Sequence, residues 1–316
     1  MEEDVQRAAI DLYDRFTHED NWVARSTGAG SDCRGQSDPV MDRRDFMAKL
    51  TRIAGSAAAA SALLADVACK AETQPQVAAD DRRLTTRETE WEPRPGRRYK
   101  GYSAVPAVVD RRGPLPVIIV IHENRGLNDH IRDVTRRFAL AGFEAVAPDW
   151  LSPAGGTPAG DEDRARTMIG QLDMAGTVAD GVATVGWLRG AQGGRRKVGI
   201  VGFCWGGALV NRLAVASDDT LSAAVSYYGP APDPAEAPRV RAPILFHLAG
   251  LDNRVNATAR PFAAAIQAAG GRATVIEHPN VDHAFNNDTS AARYNREAAT
   301  LAWTQTLDFF RRHLGA

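Results

Sequence analysis

The chain has 316 residues, 44% of them hydrophobic and 24% charged, with a formal net charge of -1. That length suits one large domain with additions, and the composition is that of an ordinary globular chain. The near-zero charge gives no basis for binding nucleic acid or a charged membrane surface, and no apolar run is long enough for a stable membrane span. The three cysteines (Cys33, Cys69, Cys204) match neither a disulfide framework nor a zinc pattern, and no cofactor or metal is expected.

Residues 1–79 read as an N-terminal extension. Val5 to Phe16 has apolar residues at helical spacing, and the Gly/Ser/Asp-rich stretch from Thr27 to Pro39 reads as a loop. Asp42-Arg43-Arg44-Asp45-Phe46-Met47 is a twin-arginine sequence, followed by a weakly hydrophobic, alanine-rich segment to Leu64 and by the small-residue exit Val77-Ala78-Ala79. Paired arginines, a modest apolar run and small residues are the parts of a Tat-type export signal, so a periplasmic or exported protein is expected. The competing reading is a cytoplasmic protein whose alanine-rich segment is an amphipathic helix packing on the rest. The arginines stand further from the N-terminus, and the segment is poorer in Leu and Ile, than a signal usually shows. Residues 80–98, charged and proline-containing, read as a linker leading into an edge strand.

From residue 99 to the C-terminus, strands and helices alternate. Val117-Ile118-Ile119-Val120-Ile121 is a continuous β-branched run, as in a parallel strand buried on both faces, and His122-Glu123-Asn124-Arg125-Gly126 follows it. A helix is expected over 128–141, a strand over 143–147, a loop over 155–160 and one long helical region over 161–190. Further strands are expected at 198–201, 221–228, 242–249 and 273–278, with helices over about 257–269 and up to His313. This order predicts an α/β fold: a mostly parallel, doubly wound sheet flanked by helices.

The chemistry centres on Gly202-Phe203-Cys204-Trp205-Gly206, a nucleophile elbow with cysteine in the usual place of serine. Glycines flank the nucleophile because a strand turning straight into a helix leaves no room for side chains there. The turn puts the sulfur at a helix N-terminus, where the dipole favours thiolate. A buried cysteine in a glycine-rich turn is the plainer alternative. Sites in open α/β sheets form at the carboxyl ends of strands, and Glu123, Cys204, Asp252 and His283 all sit just past strand ends. Nucleophile, acid and histidine fall in the chain order of α/β-hydrolases. Cys204 would attack a carbonyl carbon, His283 would shuttle the proton and Asp252 would fix the imidazole. The backbone N–H groups of Trp205 and Asn124 would form the oxyanion hole.

Other residues read more plainly. His247 is expected to pack inside a strand and His122 to cap or pack a strand end. His278 is a weaker base, Asp282 is loop polarity, and Asp149 is a rival to Asp252. Arg125, Trp150 and Phe285 are candidate pocket residues. Arg125, Arg254 and Arg293 could meet an anionic substrate, or could simply be surface charges.

These residues resemble the dienelactone hydrolase family from about Tyr99 to the C-terminus. The resemblance rests on His122-Glu123-Asn124-Arg125-Gly126, on the cysteine elbow, on Asp252 and on His283-Ala284-Phe285. It implies the α/β-hydrolase fold and an ester or lactone hydrolase acting through an acyl-enzyme on a small molecule, with Glu123 holding the thiol proton at rest. Two departures stand out. Ala284 replaces the family's usual glycine. Asn287 stands where the dienelactone enzymes carry a carboxylate-gripping arginine, so the reaction class is expected to hold while the substrate differs from dienelactone. A cysteine peptidase or acyltransferase on the same fold, or a non-catalytic binding protein, are the alternatives.

Overall fold

The computed structural model describes residues 43–56, 58–61, 75–109, 113–191 and 196–315, together with Val5, Ala8, Ala9 and Leu12. Cys33, Cys69 and the 27–39 stretch lie outside the described residues. The chain divides into two compact units, Met1–Gln74 and Pro75–Ala316.

In the first unit the paired arginines open a helix, α1 (Arg43–Ala54), with Asp45 in its first turn and Arg52 in its last, matching the helix dipole. Phe46, Leu50 and Ala60 are buried together with Ala9. No described helix is long and apolar enough to cross a membrane.

The second unit is built on one eight-stranded sheet. Its strands are β1 (Leu84–Arg94), β2 (Arg97–Pro106), β3 (Val117–Ile121), β4 (Glu144–Pro148), β5 (Val198–Phe203), β6 (Ala223–Tyr227), β7 (Ile244–Ala249) and β8 (Ala273–His278), in the spatial order β1-β2-β4-β3-β5-β6-β7-β8. The β1–β2 hairpin and the β2–β4 pairing are antiparallel; all other neighbours are parallel. The helices are α2 (Asp129–Leu140), α3 (Glu162–Gly170), α4 (Met174–Gly190), α5 (Trp205–Ala216), α6 (Asn253–Ala268) and α7 (Arg296–Leu314).

Every residue of β3, β4, β5, β6 and β7 is buried, which is why they read as unbroken apolar runs. Alternation splits them between two cores. Ile118, Val120, Val201 and Val225 pack with Phe138 of α2 and Phe310 of α7. Val117, Ile119, Ile121 and Ile200 pack with Leu188 of α4, Leu209 of α5 and Phe262 of α6. Helices therefore cover both faces, and the carboxyl ends of β3, β5, β7 and β8 open along one edge.

Three boundaries differ from those expected. The 80–98 stretch carries strand β1, and its compact unit begins at Pro75. Thr and Glu fill the exposed positions of β1 and hide its alternation, while Trp91 is its buried anchor. The helical region over 161–190 is two helices, because Asp173 caps a new one by accepting from the Ala175 N–H. Helix α6 starts at Asn253 rather than near 257, because Asp252 is its N-cap.

Candidate active site

Four strand ends build the site. At the end of β5, Cys204 adopts φ 56 and ψ -112, a conformation that non-glycine residues seldom take, and it is the N-cap position of α5. The neighbours allow this only because they lack side chains. A Cβ on Gly202 would lie 2.2 Å from the Gly206 carbonyl oxygen, and one on Gly206 would lie 2.4 Å from that of Ile121. The elbow is thus wedged between β3 and its own helix, which is the strained strand-to-helix turn the motif requires.

At the end of β7, the Asp252 carboxylate is shared between two donors. Oδ1 accepts from the Val255 N–H at the start of α6 (3.1 Å), and Oδ2 accepts from Nδ1–H of His283 (2.5 Å). The helix cap fixes the carboxylate, the carboxylate fixes the imidazole tautomer, and Nε2 of His283 is left for a proton. His283 lies in the loop after β8; its N–H donates to Oδ1 of the neighbouring Asp282 (2.7 Å). Ala284, next to it, has φ 67, the left-handed region where glycine would be easier.

Cys204, Asp252 and His283 line one cavity of about 440 Å³ with Glu123, Asn124, Arg125, Arg254, Asp282, Ala284, Asn287, Ser290 and Arg293. Burial pushes the Cys204 thiol up to about 12, and the Glu123 charge adds to this; the Trp205 N–H and Arg254 pull it the other way without prevailing. At rest the sulfur is a thiol. Glu123 is buried. Its Oε2 accepts from Nδ2 of Asn287 (2.7 Å), and its Oε1 has no hydrogen-bond partner among the described residues. Asn287, standing where an arginine was the family expectation, is therefore a ligand of Glu123.

The other expectations sort as follows. His122 is fully buried; its Nδ1–H donates to the Glu123 carbonyl (2.7 Å) and its Nε2 accepts from the Trp150 N–H (3.1 Å), so it holds the strand end. Burial lowers its pKa and keeps it neutral. The Trp205 ring stacks on it, with centroids 5.5 Å apart. Asp149 is no rival acid: its carboxylate accepts from Leu151 N–H, Thr157 N–H and the Thr157 hydroxyl, and so organises a loop. His247 and His278 are bonded to each other inside the core (3.0 Å). Arg125 reaches the cavity and pairs with Glu162 (3.1 Å).

Trp150 and Phe285 are not pocket residues. Trp150 is 1% exposed and packs edge-on against Tyr99; Phe285 is fully buried against Tyr228 and His278. Both follow strand ends closely, but their side chains turn inward to fill the core. Tyr228 went unnoticed in the sequence. It is buried with φ 37, its ring centroid is 5.0 Å from that of His283, and its hydroxyl has no aligned hydrogen-bond partner among the described residues. Burial, then the charge of Glu123, beside which its hydroxyl lies, raise its pKa well above the ordinary tyrosine value. The only sequence signal was its place at the end of β6.

A parallel sheet with a cysteine on a strained strand–helix turn, and an aspartate and histidine joined beyond later strands, defines an α/β-hydrolase. Known proteins agree. The sequence profile of the dienelactone hydrolase family matches residues 100–314, and the chain belongs to that family; it is a hydrolase of carboxylic esters or lactones. It is 32% identical over 237 residues to an Escherichia coli (strain K12) protein provisionally named a carboxymethylenebutenolidase, covering 71% of this chain and 86% of that one. It is 33% identical over 206 residues to the carboxymethylenebutenolidase of Pseudomonas putida, covering 63% and 86%. A crystal structure from Klebsiella pneumoniae, provisionally a dienelactone hydrolase, superposes with a TM-score of 0.65 at 30% identity, covering 72% of this chain and 99% of that one.

Proposed function

We propose that this chain hydrolyses carboxylic esters or lactones through a Cys204–His283–Asp252 triad and an acyl-enzyme. The observation that carries the reading is the 2.5 Å contact between His283 and the helix-capping Asp252, in the same cavity as a strained Cys204. Substrate entering the cavity meets a protonated thiol. Nε2 of His283 takes the proton as the sulfur attacks the carbonyl carbon. The oxyanion receives N–H groups from Trp205 and Asn124. The tetrahedral adduct collapses to a thioester, and the departing alkoxide takes the proton from His283. A water then gives its proton to His283 and attacks the thioester, releasing the acid and restoring the thiol.

Glu123 keeps the thiol protonated between turnovers, which protects the cysteine from oxidation. Arg254 and Arg293, both exposed at the cavity, would receive an anionic substituent in place of the arginine that Asn287 replaces. The twin-arginine helix and the alanine-rich segment support export of the folded enzyme. N-terminal sequencing of the periplasmic fraction tests this: a shortened chain is expected, and an intact chain confined to the cytoplasm overturns it.

For the triad, p-nitrophenyl esters and lactones are assayed with wild type and Cys204→Ala at matched folding, alongside peptide substrates. The alanine variant is expected to lose on the order of a thousandfold or more. Full activity in Cys204→Ala, or preference for peptides, overturns the proposal.

A further inference from the structure

The residues at the start of the second unit make bonds that no export signal or linker requires. The two carboxylate oxygens of Asp133, on α2, accept the Gln76 N–H (3.0 Å) and the Val77 N–H (2.8 Å). Nε of Arg136, also on α2, donates to the Val77 carbonyl (2.7 Å), and the Val77 side chain is buried in the core that includes Ala284 and Phe285. The Gln76 side chain then reaches across the sequence: its Nε2 donates to Oδ2 of Asp288 (2.8 Å).

Asp288 is the residue after Asn287, in the loop that carries His283. It is 5% exposed and held on two further sides. Arg137 of α2 donates to it and to Asp133 at once. Nδ1 of His130 stands 2.9 Å from Oδ1, a close contact that lacks the alignment of a hydrogen bond. With Asp288 pinned, Asn287 is pinned too: its Oδ1 accepts from Thr289, and its Nδ2 is aimed at Glu123.

We propose that Gln76 and Val77 form a strap that positions the catalytic loop, with Gln76 acting through Asp288 and Asn287 to set the place of the Glu123 carboxylate beside Cys204. Gln76 is a positioning residue, and the strap belongs to the working enzyme. Any removal of the N-terminal unit must then fall before Gln76, not at Val77-Ala78-Ala79. The proposal rests on the reading of Glu123 as guardian of the thiol.

The test uses the full chain. Gln76→Ala, Gln76→Lys (which keeps a donor for Asp288), Val77→Ala and Glu123→Gln are compared by iodoacetamide alkylation of Cys204 against pH, read by peptide mass mapping, and by turnover of a p-nitrophenyl ester. Gln76→Ala is expected to move the alkylation profile toward lower pH by roughly half a unit, as Glu123 drifts from the sulfur. It should also lower kcat by roughly three- to tenfold with KM little changed. Gln76→Lys should restore most of both. Val77→Ala should lower the melting temperature and leave the profile in place. If Glu123→Gln moves the profile and Gln76→Ala does not, the strap alone is overturned. If Glu123→Gln is silent, the reading of Glu123 falls and the proposal with it. A shift in Val77→Ala as large as in Gln76→Ala reduces the strap to a packing element and overturns its positioning role.

Discussion

Two buried carboxylates stand at opposite extremes of satisfaction. Asp180, in the middle of α4, has no exposed surface and a full complement of donors: Arg94 (2.6 Å) and Arg97 (2.9 Å) from the β1–β2 hairpin, and the Tyr99 hydroxyl (2.7 Å). Burial disfavours its charge, but Arg97, Tyr99 and Arg94 together outweigh this and hold its pKa below the ordinary value. Glu123 has one aligned donor, Asn287, and one oxygen with none among the described residues, the Tyr228 hydroxyl lying near it out of alignment. Its nearest sequence cation, Arg125, is turned to Glu162. A buried charge with every lone pair met holds structure together; one left half-met is costly and persists where a changing partner makes use of it. In the function proposed above, that partner is the Cys204 thiol.

Substitutions can break the contrast. Asp180→Ala leaves the buried Tyr99 hydroxyl and two half-exposed arginines without their acceptor and is expected to lower stability by about 2–3 kcal/mol, the cost of three lost hydrogen bonds to one carboxylate. Urea unfolding measures it. The folded fraction should turn over ester at the wild-type rate, and a loss of kcat in fully folded protein would erase the distinction.

Asp288 lies between the extremes, well paired yet one residue from the site. Burial raises its pKa, but His130 and Arg137 prevail and hold it at about 2, below the ordinary 3.8. A depressed carboxylate contributes stability that is fully present above pH 4 and is lost as pH falls toward 2. The shift corresponds to about 2 kcal/mol. Thermal unfolding between pH 5 and pH 2 should show this loss in wild type and a flatter acid limb in Asp288→Asn; parallel limbs would refute it.

Glu123→Gln should have the smallest effect on stability, within about 1 kcal/mol, because it removes a half-satisfied charge. Its effect falls on the sulfur. With one negative neighbour gone, the thiol that burial and Glu123 hold near 12 should alkylate faster at a given pH. Equal stability losses in Glu123→Gln and Asp180→Ala would show that the two carboxylates do the same work.

Much of this was legible in the residues. The β-branched runs of β3 and β5 mark buried parallel strands, and Cys204, Asp252 and His283 follow strand ends in hydrolase order. What was hidden depends on side-chain direction or on pairing far along the chain. Trp150 and Phe285 sit beside the site in sequence and turn into the core. Strand β1 is disguised by the Thr and Glu on its open face. Asn287 was readable only as a missing arginine, because its bond to Glu123 joins loops on separate strands. Gln76 was invisible for the same reason, since its partner Asp288 comes from the far end of the fold.

The crowding around Gly202 and Gly206 has an evolutionary consequence. A side chain on Gly202 would part β5 from α5, and one on Gly206 would part β3 from α5, whereas residue 204 lines an open cavity. The backbone therefore fixes where the side chain of residue 204 stands without fixing which atom it carries. A hydroxyl could replace the thiol in one substitution, with no repacking of strand or helix. In this architecture a thiol and a hydroxyl at position 204 are one mutational step apart.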